Sequence, residues 1–181
     1  MLPEGTREVL LTEAQIAARI QELGQLISDD YAGKNLLLIG VLKGSFIFLA
    51  DLVRNISIPL TIDFVTLSSY GDSTTSSGNV KIIESLRANV SGQHVVVVED
   101  IVDTGWTLSM SRILEDLHSG NAASVKVCTL LDKRCRREVD VPVDYVGFEI
   151  EDRFVVGFGM DFDGLFRSLP MIAALDEKTT L

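Results

Sequence analysis

The sequence predicts an α/β protein with a mostly parallel central sheet flanked by helices. Three observations predict it. Val95 to Val98 form an unbroken β-branched run, the pattern of a parallel strand buried on both faces. Strand-like and helix-like apolar spacings alternate along the chain, which implies a parallel sheet covered on both sides. Glu99, Asp100 and the turn Asp103-Thr104-Gly105 follow the valine run directly, at the strand end where open α/β sheets bind ligands.

The elements follow in order. Thr12-Glu13-Ala14-Gln15 is a capping-box pattern, and Ile16, Ile20, Leu23 and Ile27 repeat at helical spacing; this predicts a first helix stopping near Gly33. Leu36 to Leu42 reads as a buried strand, Lys43-Gly44 as a turn, and Phe46, Leu49, Ala50 and Val53 as the apolar stripe of a second helix. Ile62 to Leu67 and Val80 to Glu84 read as strands on either side of a polar segment, SSYGDSTTSSGN. After the valine strand, Met110, Ile113, Leu114 and Leu117 form the stripe of a third helix, and strands are expected near Val125 to Leu131, Val143 to Ile150 and Phe154 to Phe158.

The turn after the valine strand has the chemistry of an anion cradle. Thr104, Gly105, Trp106 and Thr107 would present successive backbone N–H groups at a helix start, where unpaired donors and the dipole favour a phosphate. Gly105 permits close backbone approach. No G-x-x-x-x-G-K-[ST] or G-x-G-x-x-G occurs, so a triphosphate or dinucleotide site is a weak reading. Glu99 and Asp100 would repel a bare polyphosphate, but they can accept from the vicinal hydroxyls of a ribose and can hold Mg²⁺. A phosphorylated ribose carrying a metal fits this combination.

Composition narrows the class. With 181 residues the chain fits one domain, large enough to bury roughly 70% of its unfolded surface. Its net charge of -10 disfavours nucleic-acid binding. Cys128 and Cys135 are too few and too unlike C-x-x-C for a metal knuckle or redox pair, which suits a reducing cytoplasm. The segment MLPEGTREVL lacks the pattern of a secretory leader, and no apolar run approaches the roughly 20 residues of a membrane span.

The segment Val95-Val-Val-Val-Glu-Asp-Ile-Val-Asp-Thr-Gly-Trp-Thr107 resembles the phosphoribosyl pyrophosphate (PRPP) motif of the purine phosphoribosyltransferases, E-D-I-[IV]-D-T-G-x-T after a hydrophobic strand. From about Leu10 to Leu175 the chain is similar to the bacterial-type hypoxanthine (hypoxanthine-guanine) branch of that family. The resemblance implies the type I phosphoribosyltransferase fold as a single domain, 1–181. Its core would cover about 10–150, a small hood subdomain would form from the N-terminal segment and about 151–175, and a mobile lid loop would span about 68–79.

The resemblance also implies site roles. Glu99, Asp100, Asp103, Thr104, Gly105, Trp106 and Thr107 would bind the ribose phosphate, with Asp103 as the catalytic base. Leu42, Lys43 and Gly44, with a strained peptide between Leu42 and Lys43, would bind pyrophosphate together with Arg167. Lys133 would donate to the exocyclic oxygen of a 6-oxopurine and so select against adenine. Phe154 would stack on the purine, the main chain of Val155 would read its edge, and Met160 would line the pocket. Ser69 and Tyr70 would belong to the lid, which excludes water from the reacting sugar. Glu99, Asp100 and Asp161 would hold Mg²⁺.

The reaction implied is transfer of the 5-phosphoribosyl group from Mg-PRPP to hypoxanthine or guanine, giving IMP or GMP and pyrophosphate, in a homo-oligomer. Two residues depart from the family pattern: Trp106 is bulkier than expected in the phosphate turn, and Gly164 stands where an acid is common. Two other classes fit the sequence less well. A regulator on the same fold that binds PRPP or a nucleotide and contacts RNA or DNA is disfavoured by the acidic composition and the intact purine-side residues. A phosphoacceptor receiver module would be shorter and would lack the aromatic segment.

Overall fold

The computed structural model describes residues 6–68, 81–84, 88–103, 106–136 and 142–175. Two sheets organise them. Strand β1 (Thr6–Leu11) opens the chain, helix α1 (Glu13–Asp30) leads to β2 (Leu36–Leu42), and α2 (Phe46–Arg54) leads to β3 (Leu60–Ser68) and β4 (Lys81–Glu84). Then come β5 (His94–Val102), α3 (Trp106–Ser119), β6 (Ser124–Asp132), β7 (Tyr145–Glu149), β8 (Val155–Val156) and β9 (Ile172–Leu175). The main sheet has six strands in the order β4-β3-β2-β5-β6-β7, all parallel except the β3/β4 pair. A three-stranded antiparallel sheet, β1-β9-β8, stands beside it.

Period-two alternation sorts the main sheet into two apolar layers. Leu36 and Leu38 of β2 and Val96 and Val98 of β5 meet Ile16, Ile20, Leu23 and Ile27 of α1 and Phe48, Leu49 and Leu52 of α2. The intervening Leu37, Ile39, Val41, Val95 and Val97 meet Met110, Ile113 and Leu117 of α3. Val95 to Val98 are all 0% exposed, and each such burial contributes about 1.5–3 kcal/mol. The valine run is therefore the spine shared by both layers.

Local signals act as read. Thr12 caps α1 through a reciprocal box, its side chain accepting from the Gln15 N–H while the Gln15 side chain accepts from the Thr12 N–H. The chain leaves α1 at Tyr31 and turns through Gly33, which has φ +75, before β2 begins. Cys128 is buried and Cys135 exposed, both free thiols. No helix among the described residues is long and apolar enough to cross a membrane.

Three expectations need correction. The buried stripe of α2 is Phe48, Leu49 and Leu52, while Phe46 and Ala50 face outward. Phe-Ile-Phe-Leu offers two apolar stripes, and Gly40 selects one by letting Leu49 lie against the strand: a Cβ there would be 2.7 Å from Leu49 Cδ2. The strand expected over Phe154 to Phe158 is only Val155–Val156, because Gly157, Phe158 and Gly159 all turn to positive φ. Strands β1 and β9 were not anticipated as strands; β9 is only four residues, IAAL, too short to carry a period.

Candidate active site

Parallel register brings the functional strand ends to one level. In the β5/β6 pair Val102 stands opposite Asp132, and in the β6/β7 pair Asp132 stands opposite Glu149. The next residues out are therefore neighbours. Lys133 Nζ donates to Asp103 Oδ2 at 2.8 Å and lies 3.9 Å from Asp152 Oδ1. Lys133 is only 5% exposed, so its ammonium requires such partners, since an unpaired buried charge is strongly unfavourable. Its backbone N–H is fixed to the Val102 carbonyl at 3.0 Å.

These groups open on a cavity of about 520 Å³. Asp100, Asp103, Lys133 and Asp161 supply its polar wall, and Phe154, Val155 and Met160 its apolar one. Phe154 is 52% exposed and meets Phe162 edge-on, with ring centroids 5.6 Å apart. That contact leaves a broad aromatic surface available for a flat ligand. The Phe154 carbonyl accepts from the Leu175 N–H at 2.9 Å, and Arg153 pairs with Glu8 of β1. The small sheet thus anchors the aromatic wall.

Ile101 and Asp152 also line the cavity, and neither was assigned a role from the sequence. Asp152 lies in the same short segment as Phe154, two residues upstream. An acid beside an expected ligand aromatic was the available signal.

A second group assembles around the turn after β2. Gly40 pairs with Val98, which brings that turn beside Asp100. The approach is close: a Cβ on Gly44 would fall 1.8 Å from Asp100 Oδ2. The Leu42–Lys43 peptide bond is cis, at the place where the resemblance implies an unusual peptide. Ser45 Oγ closes the turn by donating to the Val41 carbonyl at 2.6 Å; Lys43 is exposed.

Arg167 and Asp161 are engaged with each other rather than directed apart. Arg167 Nη2 lies 2.5 Å from Asp161 Oδ1, and Arg167 Nη1 donates to the Gly159 carbonyl at 2.6 Å. Asp161 Oδ2 accepts from the Gly164 N–H at 2.8 Å. Gly164 has φ +79 and follows Asp163 at φ +51, a left-handed pair in which glycine sits without the cost a Cβ adds. The departure from the family pattern at this position therefore shapes the turn that holds Asp161.

Glu99 and Asp100 are electrostatically loaded. Burial, then the neighbouring Asp100 charge, pushes the Glu99 carboxyl well above its usual value; burial likewise raises Asp100. Carboxylate oxygens suit Mg²⁺, which is usually bound by one or two carboxylates with waters and substrate phosphates completing its shell. The described residues fit that mode. No three acids, histidines or cysteines among them converge into a cage, and Asp100 and Asp161 both face the cavity.

An acid whose pKa is raised by folding makes stability fall as pH rises above its unfolded value, because the unfolded chain ionises first. Glu99→Gln is therefore expected to melt above the wild-type protein at neutral pH without divalent cations. The gap should close below the ordinary carboxylate range. Equal melting temperatures at neutral pH would refute this account of Glu99.

Thr104 and Gly105 lie outside the described residues, as do Ser69, Tyr70 and the expected lid from 69 to 79. Trp106 and Thr107 begin α3.

The Phosphoribosyl transferase domain model matches residues 7–163. A hypoxanthine phosphoribosyltransferase of Haemophilus influenzae is 48% identical over 91% of this chain and 93% of its own. A hypoxanthine-guanine phosphoribosyltransferase of Streptococcus thermophilus is 42% identical over 98% of each. The crystal structure of a hypoxanthine phosphoribosyltransferase from Staphylococcus aureus superposes with a TM-score of 0.89 at 43% identity, covering 95% of this chain and 92% of that one. The chain thus belongs to the phosphoribosyltransferase family, in its hypoxanthine and hypoxanthine-guanine branch.

Proposed function

We propose that this protein serves purine salvage by transferring the 5-phosphoribosyl group of Mg-PRPP to N9 of hypoxanthine or guanine. The bond between C1 of the ribose and the pyrophosphate oxygen breaks, the bond to N9 forms, and the N7 proton passes to the Asp103 carboxylate. The observation that carries this reading is the Asp103–Lys133 pair, 2.8 Å apart, on the wall of a cavity that also presents Phe154 and Met160. An ammonium has three donors and no acceptor. It matches a 6-oxo group and leaves the 6-amino group of adenine unpaired against it.

Asp103 would hold the departing proton and Lys133 would stabilise the charge on the purine oxygen. Phe154 would stack on the ring while the Val155 main chain reads its edge. The main chain at Thr104, Gly105, Trp106 and Thr107 would grip the 5-phosphate. Leu42, Lys43 and Gly44 would bind pyrophosphate with Arg167, and the lid with Ser69 and Tyr70 would keep water out. Glu99, Asp100 and Asp161 would hold Mg²⁺, which when bound neutralises charge on the leaving pyrophosphate.

We place the enzyme in the reducing cytoplasm, with β1, β8 and β9 as its hood. It acts as a homo-oligomer without nucleic-acid or membrane partners. Phe46, Ile62 and Phe64 are all more than 40% exposed on α2 and β3, which supports a subunit contact there.

Incubation with Mg-PRPP and hypoxanthine should yield IMP and pyrophosphate in equal amounts, followed by chromatography. Chelation of divalent cations should stop it. A protein that binds PRPP and forms neither IMP nor GMP would be a ligand sensor, and the enzymatic reading would fall.

A further inference from the structure

We infer that Asp152 is a positioning residue for Lys133, holding its ammonium toward the purine oxygen once Asp103 is occupied by the purine. The inference rests on the proposed roles of Asp103 and Lys133 and extends them to a residue given no role above.

The argument begins with the demand on Asp103. Asp103 Oδ2 accepts from Lys133 at 2.8 Å. In the proposed complex the same carboxylate must accept from N7–H and then take the proton, which removes its charge. Lys133 is buried, and a buried ammonium whose nearest counter-charge among the described residues is being neutralised would be destabilised or would turn away from the base unless a second carboxylate remained. Asp152 stands 3.9 Å from Nζ, with its side chain half exposed.

The register explains why it stands there. Asp103, Lys133 and Asp152 emerge from three neighbouring parallel strands, β5, β6 and β7. Asp152 is carried a further three residues by a segment fixed to the small sheet through Arg153 and the Phe154 carbonyl. Asp103 accepts a hydrogen bond from the ammonium and Asp152 stands off as a counter-charge, which leaves donors of Nζ for the base. The same segment that supplies the stacking aromatic would therefore supply the counter-charge that aims the specificity lysine.

Asp152→Asn tests this in the intact enzyme. The KM for hypoxanthine should rise about fivefold, the scale of a partly exposed ion pair, with the KM for PRPP and the melting temperature unchanged. Asp152→Glu should recover most of the affinity for the base. In a Lys133→Gln background, Asp152→Asn should add nothing, since its effect passes through the lysine.

An unchanged hypoxanthine KM, a parallel rise in both KM values, or the same loss in the Lys133→Gln background would each overturn the inference alone. Wild-type protein that makes no IMP would overturn it together with the proposed activity.

Discussion

Asp103→Asn is expected to lower kcat for IMP formation by about 10²- to 10⁴-fold, the usual contribution of a positioned proton acceptor. Asparagine preserves the shape and can still accept from Lys133 through its amide oxygen, but it cannot take the N7 proton. PRPP binding should be largely retained, because in the proposed site the main chain at Thr104 to Thr107 and the carboxylates of Glu99 and Asp100 would still hold the ribose phosphate. Single-turnover rates with saturating PRPP, alongside a direct PRPP titration, separate the two quantities. Turnover equal to wild type would exclude Asp103 as the base; equal losses in turnover and PRPP affinity would make it a structural residue instead.

The second large effect is expected at Gly44. A Cβ at this position would sit 1.8 Å from Asp100 Oδ2, so Gly44→Ala cannot be accommodated without moving the turn or the carboxylate. The turn has little freedom to shift, because the Gly44 carbonyl packs against Gly159 closely enough to fall 2.0 Å from a Cβ built there. The carboxylate therefore has to give. Overpacking of this kind costs about 1–3 kcal/mol, and displacing reacting groups by about 1 Å can lower activity about 10²-fold. A lowered melting temperature with at least that loss in kcat/KM for PRPP is expected. Wild-type kinetics in this variant would mean that neither the turn nor Asp100 serves the reaction.

Much of the fold was legible because its signals are local. The capping box at Thr12, the valine run and the α3 stripe need no knowledge of distant residues. The α2 stripe was misread because FIFLADLV is apolar on more than one side, and only the space above Gly40 selects Leu49. The span 154–158 looked like a strand by composition, yet positive φ at Gly157, Phe158 and Gly159 bends it round to place Met160 in the cavity wall. Asp152 escaped notice for a similar reason. Its meaning depends on Lys133, 19 positions earlier in the chain.

By itself the sequence determined which strands are buried on both faces, where α1 is capped and which charged groups stand at the strand ends, because hydrophobic period and capping chemistry are encoded within a few residues. Tertiary structure alone decided the pairings: Lys133 on Asp103 across 30 positions, Gly44 on Asp100, and Arg167 on Asp161. Those pairings follow from parallel register and from backbone contacts with no room for a side chain, and neither quantity is written in any single segment.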